Sequence, residues 1–304
     1  MKKLAARCYL FPSHRLIPVM KAIFLTLLTA PLAFANPIQP ETIPASANWY
    51  LHGDFTKMRE TITGGLLIKF VRQEQAAALA EIENIFEFDP LNDIDDLTLF
   101  GTGKKDEGVV TIRGNFDRGH LEKVIVNADN YRTTNHSSTT IHHWEDKGKT
   151  QHAAFQGKKT LIISQQEELL KLALDVLAKE QPGLPADFAL PTANPAIVAF
   201  ANISKIDMPD DEGSRIIRRA NSLLVTLGEK EERLQASMVA DTDSPQTSRR
   251  MLEIMEGLVA LGQLAEERIE ELEIKHGGKT DGKIMTMSMS LSATKALELI
   301  SQMK

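Results

Sequence analysis

The stretch DLTLFGTGKKDEGVVTIRGNF (96–116) decides the fold. Leu97 and Leu99 alternate with polar neighbours, and beyond the Gly103 to Gly108 segment Val110 and Ile112 alternate with Thr111 and Arg113. A period of two means a strand with one buried and one wetted face, and the glycine-and-charge segment between two such runs supplies the turn of a β-hairpin. The same pattern returns in SLLVTLGEKEERLQASMVADT (222–242), with its turn placed from Gly228 to Arg233.

Around each hairpin the order of segments repeats. A short apolar strand comes first, NWYLHGDF (48–55) or AIVAFANIS (196–204), followed by a helix. After each hairpin comes another helix, then a strand running into a closing helix: KKTLIISQQEELLKLALDVL (158–177) and GKIMTMSMSLSATKALELI (282–300). This order predicts an α+β protein of two similar halves, each an antiparallel sheet with helices packed on one face, as an internal duplication would give. The boundary lies in KEQPGLPADFALPTANPAI (179–197), where prolines 182, 185, 191 and 195 interrupt any helical or strand period. Residues 181–195 are therefore read as an extended connector between units 48–180 and 196–304, with 36–47 as a linker.

Two long amphipathic helices are expected. The first covers 56–87, with Met58, Ile62, Leu66, Phe70, Leu79, Ile82 and Phe86 inward and a break at Thr63-Gly64-Gly65. The second starts at a capping Ser244 with Pro245 in its first turn, carries an apolar stripe from Met251 to Leu272, and ends at Lys275-His276-Gly277.

Residues IFEFDPLNDIDDLTLFG (85–101) followed by VVTIRGNF (109–116) resemble a pattern found in uncharacterised exported bacterial proteins built from two α+β halves. The resemblance implies an exported location and this fold; it brings no activity, cofactor or catalytic residue with it.

The amino-terminal region supports export independently. In MKAIFLTLLTAPLAFANP (20–37), Lys21 precedes an apolar run from Ala22 to Leu32 that closes on Ala33-Phe34-Ala35. Small residues at 33 and 35 fit signal peptidase, and the run is too short to span a bilayer, so residues 1–35 read as a cleaved leader. Translation from Met20 would give it an n-region of ordinary length; translation from Met1 gives a long basic one. Cys8 is the single cysteine and lies within the leader. The exported chain would thus have no thiol for a disulfide, a Cys-ligated metal or a cysteine nucleophile. Residues 1–35 also hold Lys2, Lys3, Arg7, Arg15 and Lys21 and no acid, so 35 basic side chains fall to 30 against 41 acidic ones. An acidic surface disfavours nucleic acid and anionic membranes. No transmembrane anchor is expected after processing, and a protein partner in the cell envelope, in a periplasm or outside the cell, is.

The nearest thing to chemistry is NHSSTTIHHWEDKGKTQH (135–152), with histidines at 136, 142, 143 and 152. A hairpin about Lys147-Gly148 that pairs Asp146 with Lys149 sets His143 opposite His152 and places Glu145 on their face. Two imidazoles and a carboxylate are a zinc ligand set with room for a water, the arrangement a metal-dependent hydrolase would use. The opposite face, with His142, Trp144, Ala153 and Phe155, is more apolar, so it is expected to be the core and the His143 face to be wet.

Other motifs fail on spacing. DPLNDIDD (89–96) has Leu91 and Ile94 where a calcium loop needs an oxygen ligand and a glycine. HGGKTDGK (276–283) lacks the upstream glycine of a phosphate loop, Glu273 standing there, and reads as a helix cap and turn. Trp49 and Tyr50 are too few for a sugar-stacking platform. KIMTMSMSLS (283–292) could present methionines to apolar cargo, as a periplasmic chaperone would, but its alternation fits one buried sheet face. The resulting expectation is an exported, non-catalytic binding or envelope-associated scaffold protein with no cofactor, against the alternatives of a hydrolase on His143, Glu145 and His152 or a chaperone.

Overall fold

The computed structural model describes residues 36–185, 195–208, 212–265, 272–278 and 282–302. The expected leader, residues 1–35 with Ala33 and Ala35, and the middle of the proline-rich connector, 186–194, lie outside the described residues. Among the described residues no helix is long and apolar enough to cross a membrane.

In chain order the elements are β1 (Trp49–Asp54), α1 (Phe55–Arg59), α2 (Ile62–Glu74), α3 (Ala76–Phe86), β2 (Ile94–Gly101), β3 (Gly108–Gly114), α4 (Arg118–Val126) and β4 (Arg132–His136). Then follow β5 (Thr139–Asp146), β6 (Lys149–Gln156), β7 (Thr160–Ser164), α5 (Glu167–Leu177), β8 (Ile197–Asn202) and α6 (Glu212–Ile217). The chain finishes with β9 (Ala220–Lys230), β10 (Arg233–Thr242), α7 (Pro245–Ala265), β11 (Glu273–Gly278), β12 (Ile284–Ser292) and α8 (Ala293–Gln302).

The antiparallel α+β expectation holds, but the strands form one sheet of twelve rather than a sheet in each half, in the order β11-β12-β10-β9-β8-β1-β2-β3-β7-β6-β5-β4. β1 and β8, the opening strands of the two segments, pair with each other from Trp49↔Ala201 to Gly53↔Ile197. Each is apolar enough to be buried in mid-sheet, and a free edge on either would leave a row of unpaired amides. Tyr50 and Phe200, opposite one another, stack with centroids 5.4 Å apart. From this seam both ends place the opening strand, the hairpin and the last strand side by side. Beyond that they differ: among the described residues β6, β5 and β4 extend one end and β11 the other.

One face of the sheet carries most of the helices. Phe86 of α3 and Leu121 and Ile125 of α4 cover Trp144, Phe155, Leu161 and Ile163. Met58 of α1 and Ala296 of α8 cover Ile197, Leu227, Leu234 and Leu291, and Met251 of α7 packs with Ala240 and Met285. Met285 of β12 thus lies beneath α7, and Met287 is buried as well. The other face is covered by α5, through Leu170, Ala173 and Leu174, and by residues 36–47. That segment does not behave as a linker: Ile43 is fully buried, a 3-10 turn forms at Pro40–Thr42, and Leu184 N–H donates to the Ile43 carbonyl at 2.8 Å.

Three local expectations are corrected. The 56–87 helix is broken at Glu60-Thr61 and again at Gln75, not at the glycines, and Ile62 is exposed while Leu67 is buried. Gly64 is needed for contact: a Cβ there would lie 2.1 Å from the Met58 carbonyl oxygen, so α1 and α2 meet backbone to backbone. The second long helix starts as expected, Thr247 N–H donating to Ser244 Oγ at 3.2 Å, and α7 is described over Pro245–Ala265. Lys275-His276-Gly277 belongs to strand β11, not to a helix end, because β12 would otherwise expose an open edge. The β9–β10 turn is Glu231-Glu232, both at positive φ as in a two-residue mirror-image turn, and Gly228 is inside β9.

Candidate functional site

The histidine hairpin has the expected register, with Asp146↔Lys149, Glu145↔Thr150 and His143↔His152. Its environment differs from the expectation. The His143 face is not in solvent; α5 lies across it, leaving His143 1% and His152 6% exposed. Both faces of this hairpin are core, since Trp144 and His142 are buried on the other side. The signal for this was α5 itself, whose apolar stripe needs a sheet face to cover.

The two rings meet at right angles, Nδ1 to Nδ1 at 2.7 Å, and Thr134 Oγ1 lies 2.7 Å from His143 Nε2. At that separation one Nδ1 carries a proton and the other accepts it. Burial, then the positive charge of Arg132 and the facing His152, push His143 down to about 4; burial likewise lowers His152, with Glu167 opposing. The pair is neutral at pH 7.

The acid that joins them is Glu167, in the first turn of α5, and not Glu145. Ligand atoms of His143, His152 and Glu167 all lie within 4.8 Å of one another. Glu145 is exposed and accepts from Asn130 Nδ2 at 2.7 Å. Burial tends to raise Glu167, but the Lys171 ammonium 3.1 Å away outweighs it and holds the carboxyl below its usual range. Nothing in the local sequence pairs Glu167 with the hairpin; only the folding of α5 over the sheet does. The remaining histidines are engaged separately, His136 Nε2 with Asp175 at 2.5 Å and His142 Nδ1 with the Tyr131 hydroxyl at 3.0 Å.

The stretch weighed for calcium is a turn that satisfies itself. Asp89 accepts from Leu91 N–H and Asn92 Nδ2 and pairs with Arg72 at 2.8 Å, and Asp93 accepts from Asp89 N–H. Tyr50 is buried in the seam, and Trp49 packs at Gly101.

Two features were missed in the sequence. The first is a buried polar group at the end of β1: His52, Asp54 and Lys57 with Asp96, each at most 1% exposed, and Arg113 bonded to Asp96 at 2.7 Å. Burial raises Asp96 to about 6, against the pull of Arg113, and lowers Lys57 to about 8 and His52 to about 4. The signal was His52 and Asp54 standing within a strand whose other neighbours are apolar.

The second is a trough of about 650 Å³ on the face of β10, β12 and β11 opposite the helices. Gln235, Ser237, Thr286, Ser288 and Ser290 supply its floor, and Arg233, Glu273 and Lys275 its rim. The cluster under α5 and residues 36–47 takes in Val239 of β10, and the floor side chains beyond it are half-buried. The rim charges compensate one another, Arg233 lying 3.3 Å and Lys275 3.9 Å from Glu273. Arg233 also donates to Ser290 Oγ at 2.9 Å. The surface therefore combines hydroxyls and compensated charges with apolar groups such as Val239 and Met289. The alternation that buries Met285 and Met287 is what exposes Thr286 and Ser288.

No protein-family model matches the chain, and no curated protein matches it. Among solved structures, the Treponema protein TP0453 in crystal form III superposes with a TM-score of 0.49 at 12% identity, over 88% of this chain and 99% of that one. Crystal form I of TP0453 gives a TM-score of 0.46 at 11% identity, over 88% of this chain and 98% of that one.

Proposed function

We propose that this is an exported, non-catalytic binding protein of the cell envelope, and that its binding surface is the open face of β10, β12 and β11. The observation that carries the reading is the uncovered hydroxyl- and amide-lined trough. At β5 and β6 the same sheet is packed on both sides. A floor of Ser, Thr and Gln offers donors and acceptors, the compensated rim favours a ligand of low net charge, and among the described residues no aromatic side chain lines it for a sugar to stack on. An extended, polar polypeptide segment of an envelope partner fits those terms.

The hydrolase alternative needs an open metal position reached by substrate. His143 and His152 lie beneath α5, which supports a structural role for them. The burial of Met285 and Met287 likewise weighs against an apolar-cargo chaperone that uses this strand.

A photo-activated cross-linking residue placed at Gln235 or Ser288 in the exported chain tests the reading, with Glu81 on the outer surface of α3 as control. The expected result is one discrete polypeptide adduct shared by the two trough positions and absent from the control. Adducts that do not differ between trough and control would contradict it.

A further inference from the structure

The amide nitrogen of Asn36 lies 2.7 Å from Asp54 Oδ2, and Asp54 is completely buried. Two further polar groups of Asn36 are held. Its carbonyl accepts from His52 Nε2 at 3.0 Å, and its Nδ2 donates to Thr56 Oγ1 at 3.3 Å. The histidine is itself fixed, its Nδ1 accepting from the Thr98 hydroxyl at 2.9 Å.

The receiving carboxylate has an unusual setting. Asp54 and Asp96 are direct cross-strand partners in the β1–β2 register, and both are buried. Like charges opposite one another in a sheet repel. Asp96 has Arg113 as its ion-pair partner; Asp54 feels the charge of the buried Lys57 ammonium and spends Oδ1 on the Lys57 amide, 2.8 Å away, as the cap of α1. Oδ2 faces Asn36 N.

Cleavage after Ala35 would convert that nitrogen from an amide into an α-ammonium. We propose that Asp54 is the receptor for the α-ammonium of Asn36, so that removal of the leader supplies a buried ion pair which completes the core at the end of β1. The pair forms with no movement of heavy atoms: the nitrogen is already at the 2.7 Å typical of a charge-assisted bond. The retained leader would instead offer one neutral N–H. The unprocessed chain would then be less stable than the processed one, which suits a protein that must stay unfolded until it is exported. The proposal rests on reading 1–35 as a cleaved leader.

The test uses the chain released from an amino-terminal fusion by a protease that leaves Asn36 first, beside the same chain with one extra glycine before Asn36. Each is made with Asp54 and with Asp54→Asn. The extra glycine is expected to lower Tm at pH 7 in the Asp54 chain and to have little effect in Asp54→Asn. A carboxylate at this distance raises an α-amine above its ordinary value of about 8, so the pair's contribution is complete below about pH 8 and is lost as pH rises through the raised value. The other charged groups facing the pair are Lys57 and Glu60 on α1, Asp96 on β2, Arg113 on β3 and His52 on β1, and all are common to the chains compared. Should Asp54→Asn not fold, the acylation rate of the α-amine near pH 7.5 decides: roughly tenfold slower in the folded than in the urea-unfolded chain is expected. Equal Tm for the cut and extended Asp54 chains, or equal acylation rates folded and unfolded, overturns the proposal. If the exported protein itself begins at a residue other than Asn36, the proposal also fails for the cell, and the fusion-released chain still shows separately whether the pocket accepts an ammonium.

Discussion

His143 and His152 share a hydrogen bond across β5 and β6, Nδ1 to Nδ1 at 2.7 Å, in a region that α5 closes to solvent. Burial holds His143 neutral down to about 4, so between its ordinary 6.5 and that value the unfolded chain takes up a proton the folded chain refuses. Stability is therefore expected to fall as pH drops from about 6.5 toward 4. His52, also pushed down to about 4, adds to the loss, while Asp96, raised to about 6, works the other way below that pH. A nitrogen-15 imidazole titration separates them. It should show the His143 ring neutral at pH 5, and a midpoint near 6.5 would contradict the buried pair.

Zinc content bears on the same residues. The Glu167 carboxylate is engaged by Lys171, and the two imidazoles by each other and by Thr134. Chelation is accordingly expected to leave Tm unchanged. Stoichiometric zinc, lost together with several degrees of Tm on chelation and absent from His143→Ala/His152→Ala, would instead show that the three side chains hold a metal.

Leu170 is the fully buried centre of the α5 contact, packed in the cluster that includes Ile141, Ala154 and Ile162. Leu170→Ala should cost about 2–5 kcal/mol in denaturant unfolding. Glu168→Ala, whose side chain is 84% exposed, should stay within about 0.5 kcal/mol of the parent.

Gly64 and Gly65 are neighbours in α2 with opposite prospects. A methyl group at 64 would meet the Met58 carbonyl oxygen and Thr61 Oγ1, and Gly64→Ala should destabilise by roughly 1–3 kcal/mol or more. At 65 nothing lies within 4 Å, so Gly65→Ala should stabilise by up to about 1 kcal/mol through helix propensity. Thermal melts of the two variants check both signs.

Local rules found what is local. Alternation in 96–116 and 222–242 gave the hairpins, Ser244-Pro245 gave the start of α7, and Lys147-Gly148 gave the His143↔His152 register. What was missed depends on which layers meet. Whether the His143 face is wet was decided by α5, more than ten residues later in the chain. The choice of Glu167 over Glu145 followed from that same docking. Residues 273–278 carry a helix-like charge pattern but become β11 because an exposed β12 offers them a ladder. Similarly, β1 and β8 each read as the first strand of its own sheet, and only their mutual pairing makes the sheet one.

The account stands most directly on the open face of β10 and β12. The measurement is the yield of the adduct formed from a photo-activated residue at Gln235, compared between the native background and one carrying Ser288→Trp, which fills the trough from the neighbouring strand. The account predicts an unchanged Tm and loss of the adduct. An adduct that forms equally well with the trough filled would contradict it.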